Sequence, residues 1–118
     1  MQQEIAKLGQ QTQKINAISC CENMVATASV SGEVTLFDIR LPKSILKAHN
    51  QATSVWLNND LLVTGGKDGI IKLFDIRNDA IEMNTFKISD NDVLGLDVID
   101  SLILISIDQG CVTGLDFK

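Results

Sequence analysis

The chain has 118 residues, with 10 basic and 15 acidic side chains, eight glycines and one proline. That length holds one small domain, and so little glycine and proline excludes collagen-like and low-complexity classes. An apolar share of 45% excludes wholesale disorder, while a net charge of −5 disfavours a cationic nucleic-acid-binding surface.

The amino terminus, Met1 to Gln10, has neither the basic start nor the apolar core of a secretory signal. Residues 1–13 are read as an outer strand or a tail. Strand-like runs then follow at Ile15–Cys20, Met24–Ser29, Glu33–Ile39 and Ser44–Ala48. The next set is Thr53–Leu57, Leu61–Thr64, Ile70–Ile76 and Asn84–Ser89, and the last is Val93–Ile99, Leu102–Ile107 and Cys111–Phe117. These runs are short, rich in Val, Ile, Leu and Thr, and spaced about ten residues apart. Between them, Asn58-Asn59-Asp60, Lys67-Asp68-Gly69 and Asp108-Gln109-Gly110 have tight-turn chemistry, with glycine expected at positive φ. The strongest apolar run, Leu102 to Ile105, is of strand length and far from the ~20 residues of a membrane-spanning helix.

The pattern repeats. Met24–Arg40 aligns with Leu61–Arg77 without a gap at an offset of 37, with 7 of 17 positions identical and the block Leu-Phe-Asp-Ile-Arg ending both. Leu102–Lys118 is a third copy at an offset of 41, matching at Gly110, Asp116 and Lys118. Four short antiparallel strands in each period predict propeller blades rather than a sandwich. The expected fold is all-β, with about three four-stranded sheets in a single domain, in blades near 14–50, 51–90 and 91–118.

These repeats resemble the WD40 family over nearly the whole chain, from about Lys14 onward. In that family a histidine, a strand Ser/Thr, a turn Asp and a strand Trp form a buried hydrogen-bond network. The resemblance assigns His49, Thr64 and Asp68 of the second blade to it. Phe74 stands at the Trp position, and phenylalanine has no N–H, so the network ends at Thr64. The first blade keeps Thr27 but has Ser31 for the turn Asp and Phe37 for the Trp; the third has Ile105, Gln109 and Leu115 at these places.

The resemblance implies a non-enzymatic protein-interaction scaffold within an intracellular multiprotein complex. The elements Phe37-Asp38-Ile39-Arg40 and Phe74-Asp75-Ile76-Arg77 resemble the WD-x-R element of substrate receptors of cullin-4-type ubiquitin ligases. Asp38, Arg40, Asp75 and Arg77 are therefore candidate partner-binding residues. Asp75 and Arg77, two apart on an expected strand, would point the same way. The enzyme alternative rests on Asp68, Asp108 and His49 in an axial channel, but no catalytic constellation is evident, and no cofactor is expected.

Three cysteines, Cys20, Cys21 and Cys111, are an odd number with two adjacent, which disfavours disulfides and favours a reducing, intracellular site. One histidine and no Cys-x-x-Cys leave no zinc site. The thiols, Cys111 included, are expected to be buried as small hydrophobes. Propellers close with four to eight blades. Three blades should therefore expose apolar residues such as Leu36, Phe37, Leu73 and Phe74 at two uncovered faces. Completion by a homo-oligomer or a hetero-complex follows as an expectation. Glu4–Leu8 aligns with Ser44–Ala48 and is a candidate for the missing outer strand.

Overall fold

The computed structural model describes residues 14–38, 41–47, 51–58, 60–78, 81–108 and 110–116. Among these residues, eleven strands follow the chain in three separate antiparallel meanders. The first blade holds β1 (Ile15–Cys21), β2 (Met24–Ser29), β3 (Glu33–Asp38) and β4 (Leu41–Lys47). The second holds β5 (Ala52–Leu57), β6 (Leu61–Gly66), β7 (Ile70–Asp75) and β8 (Ile81–Lys87), and the third β9 (Val93–Ile99), β10 (Leu102–Ile107) and β11 (Cys111–Asp116). Strands stand where the alternation and turn residues place them, and β3 and β7 lie in different sheets. The third sheet has three strands among the described residues, the three runs read there from the sequence, and Glu4–Leu8, the candidate for its outer strand, lies outside them.

Turn chemistry closes the hairpins. Gly32, Gly69 and Gly110, equivalent in the repeat, all have positive φ, at 89°, 72° and 79°. Asn58 Oδ1 accepts the N–H groups of Asp60 and Leu61 at 2.8 and 2.7 Å, the Asx arrangement that its turn sequence predicts. The ladder between the third and outer strands slips at the same point in both four-stranded blades, after Leu36 and after Leu73. Pro42 of β4 therefore does not cause the slip, since β8 shows it without a proline. An outer strand tolerates Pro42 because one of its edges carries no ladder bonds.

Several element ends differ from expectation, two of them beside the β7 turn. β7 stops at Asp75, because Ile76–Asn78 turn into a 3-10 helix. Asp75 Oδ1 accepts the Arg77 N–H at 3.0 Å, and the Ile76 N–H reaches the carbonyl of Asp60 at 3.1 Å. β8 begins at Ile81, where it pairs with Asp75.

The core lies between blades. Ala26, Ala28, Val34 and Leu36 of the first blade pack against Ala52, Val55, Leu57, Leu62 and Phe74 of the second. On its other side the second blade sets Leu61, Val63, Ile71 and Leu73 against Val93, Ile103, Ile105 and Ile107 of the third. Each blade is a two-faced sheet, and period-2 alternation assigns each side chain to one neighbour.

This stacking corrects two expectations. Leu36, Phe37, Leu73 and Phe74 are buried: Leu36 and Phe74 share one inter-blade core, and Leu73 lies in the other. The large apolar residues left outside include Ile15, Ile18, Leu94, Ile99, Leu102 and Val112. The thiols are not uniformly buried. Cys20 and Cys111 are exposed and Cys21 is partly buried. Cys20 alternates away from the inter-blade core that Cys21 joins, and Cys111 opens β11, among the described residues an end strand of its sheet rather than a central one.

Candidate interaction surface

Two kinds of surface can engage a partner: the rim beside β7 and the outer faces of the stack. At the rim, the turn after β7 brings Arg77 back onto Asp75. Arg77 Nε lies 3.3 Å from Asp75 Oδ1 and 3.7 Å from Asp60 Oδ1. The hydrogen bond and charge of Asp75, with the charge of Asp60 behind it, hold the guanidinium more firmly protonated than that of a free arginine. The side chain is 66% exposed, so the cluster offers a fixed cation flanked by carboxylates. The pair meets, but through the 3-10 turn rather than along one strand. Asp38 ends β3, and Arg40 lies outside the described residues.

Of the three residues assigned to the buried network, His49 lies outside the described residues. Thr64 is fully buried in the middle of β6. Asp68 sits in the β6–β7 turn, where its Oδ1 accepts the Ile70 N–H at 3.1 Å and its carbonyl accepts Lys87 Nζ at 2.9 Å. Asp68 thus fixes the turn and reaches the outer strand. Among the described residues, no group of three or more His, Cys, Asp or Glu side chains could hold a metal ion. No helix among them is long and apolar enough to cross a membrane.

The outer face of the third blade carries an open hollow of ≈ 300 Å³. Gly95 and Asp97 of β9, Leu104 and Ser106 of β10 and Val112 of β11 line it. The ladder sets Gly95 opposite Ser106 and Ser106 opposite Val112. All three thus point away from the second blade, and Val112 is 75% exposed. At the other end of the stack, Ile18 of β1 is 69% exposed.

Sequence reasoning missed a feature of the inner strands β1, β5 and β9. Each has a bulge at its second residue: the ladder skips Asn16, Thr53 and Leu94. A bulge turns its residue out of the pleat. Asn16 Nδ2 donates to the Ala52 carbonyl at 2.9 Å, and Thr53 Oγ1 donates to the Val93 carbonyl. Both acceptors are the first residue of the next inner strand. The sequence signal was available as the offset of 37 between Asn16 and Thr53, but bulges leave no mark on alternation counts.

Residues 40–75 match the family described as "WD domain, G-beta repeat". That stretch is a WD40-type repeat. The matched WD40 repeat runs from the outer strand of the first blade through the third strand of the second, so the unit of sequence straddles two units of structure. Among solved structures, the crystal structure of the computationally designed Ika4 protein is similar in fold, with a TM-score of 0.59 at 17% identity over 100% of both chains. No curated protein matches. The fold is therefore a set of WD40-type propeller blades.

Proposed function

We propose that this WD40 chain is a non-enzymatic protein-interaction scaffold, a subunit of an intracellular multiprotein complex, whose short stack is completed by further blades. The supporting observation is the exposed apolar side chains at the two ends of the stack. Val55 and Ile71, at the corresponding positions inside the stack, are buried against a neighbouring blade, whereas Ile18 and Val112 are exposed. Meandering sheets locked by inter-blade cores make a rigid support, and their turns are free to carry specificity. The test is affinity capture with the purified chain, with bound proteins identified and their binding titrated. Saturable, stoichiometric binding of a defined protein is expected. Binding only of nucleic acid, or none at all, overturns the reading.

A second reading, receptor-like docking to a cullin-4-type ligase adaptor, is favoured by the exposed Arg77 fixed beside Asp75. A double Arg40→Ala, Arg77→Ala variant should then lose the adaptor in a pull-down. Unchanged capture removes it.

A further inference from the structure

We propose that the outer face of the third blade takes the first blade of a second copy of this chain, so that two chains close one ring of six blades. The proposal rests on the reading that the stack is completed by further blades, and it commits to which blades those are.

The argument comes from the internal interfaces. Four positions on one face of the first blade, Ala26, Ala28, Val34 and Leu36, are buried by the second blade. Their equivalents in the second blade, Val63, Gly65, Ile71 and Leu73, all buried, face the third. The next equivalents are Leu104, Ser106, Val112 and Gly114, and the first three line the hollow of the open face. The axial part of the complementary half, along β1, is present on the same chain. Val55 and Leu57, which the second blade buries against the first, correspond to Ile18 and Cys20 of β1. Val55 is 7% exposed, whereas Ile18 and Cys20 stand in solvent. Farther out on that face, Thr27, Thr35 and Phe37 are already buried within the chain, so the docking face is its axial part.

The two faces also fit in detail. Gly95 and Gly114 replace Ser54 and Leu73 of the preceding blade, which removes bulk. Opposite them, Ile15 and Ile18 are larger than Ala52 and Val55. The third bulge aims Leu94, 57% exposed, at the place where Asn16 and Thr53 find the next inner strand. That strand would begin with Ile15, so an apolar contact replaces the hydrogen bond. A polar tie replaces another. Ser19 Oγ accepts the Leu57 N–H at 3.1 Å. Asp97 occupies the place of Ser19 and Cys20 that of Leu57, which aligns the Asp97 carboxylate with the Cys20 N–H of the second copy. The contact joins two different faces, so repeating it twice about a two-fold axis closes a ring, and six blades lie within the range in which propellers close.

The test is the solution mass of the full chain, with cysteine cross-linking. Light scattering should give twice 12.9 kDa. Asp97→Cys should form a disulfide with Cys20 of the other copy under mild oxidation, giving a covalent dimer and nothing larger. Adding Cys20→Ser should abolish it. Leu94→Glu, at a site already exposed in the single chain, should give a folded monomer with an unchanged far-ultraviolet spectrum. A monomeric wild type, a ladder of higher oligomers, a cross-link that survives Cys20→Ser, or a Leu94→Glu dimer each overturn the proposal. A monomer that still captures a defined protein overturns this inference alone and leaves the scaffold reading standing.

Discussion

Asn16 and Thr53 stand at the same point of two consecutive blades, and each ties its blade to the one that follows. Asn16 reaches the Ala52 carbonyl at 2.9 Å and Thr53 reaches the carbonyl of Val93. Both are bulge residues, so the irregularity that breaks the ladder also makes the link. Removing either donor leaves a carbonyl short of its partner. Asn16→Ala and Thr53→Val should each cost about 1 kcal/mol. Because the two ties serve different interfaces, the losses should add in the double variant. Urea unfolding, read as a shift in midpoint at constant slope, checks both.

The second and third blades are in close contact at Gly65. A Cβ there would lie 2.7 Å from Val93 Cγ1 and 2.6 Å from Ser54 Oγ. Gly65→Ala should therefore destabilise the fold by about 1–3 kcal/mol through overpacking. Ser54 Oγ is buried with no hydrogen-bond partner among the described residues. Ser54→Ala removes an unsatisfied polar atom and should leave stability unchanged or raise it by up to about 1 kcal/mol. It also opens space beside Gly65, so the double variant should be more stable than the two single effects predict. A four-point thermal unfolding cycle measures that coupling.

Cysteine reactivity should follow the faces of the sheets. Cys111 is exposed at the start of β11, and Cys21 packs against the first inter-blade core. In native protein a thiol reagent should modify Cys111 at once and Cys21 only slowly, with the order read by mass spectrometry of the labelled peptides. Equal rates at the two sites would contradict the packing of Cys21.

The strand pattern was legible because each strand carries its own alternation and each hairpin its own turn residues. Gly69, Asp68 and Asn58 announce their turns by chemistry that acts within three residues. What was not legible depends on partners distant in the chain. Phe74 and Leu73 are adjacent, yet they face different neighbouring blades, and alternation alone does not say that both neighbours exist. Exposure was therefore assigned to the wrong residues, and burial to Cys111. Asp75 and Arg77 were expected to point the same way along a strand, and the turn that brings Arg77 back onto Asp75 was not expected. A strand was expected where Asp75 accepts the Arg77 N–H, and that local bond competes with the ladder.

The equivalent glycines Gly69 and Gly110 separate two costs that sequence alone merges. Both have positive φ, at 72° and 79°, so alanine at either pays the left-handed backbone term of about 1–2 kcal/mol. At Gly110 a Cβ meets nothing within 4 Å, so the backbone term should be the whole effect. At Gly69 it would lie 1.9 Å from the Ser89 carbonyl oxygen and 2.9 Å from that of Asn91. These atoms belong to the segment joining β8 to β9, where the Ile88 N–H already donates to the Gly69 carbonyl at 3.0 Å. Backbone cannot yield as a side-chain tip does, so Gly69→Ala must displace the connection to the third blade. Gly110→Ala should lower stability by about 1–2 kcal/mol with native-like amide exchange elsewhere. Gly69→Ala should cost clearly more and raise exchange in β9 and β10. Equal losses in the two variants would mean that the connection does not hold the third blade in place.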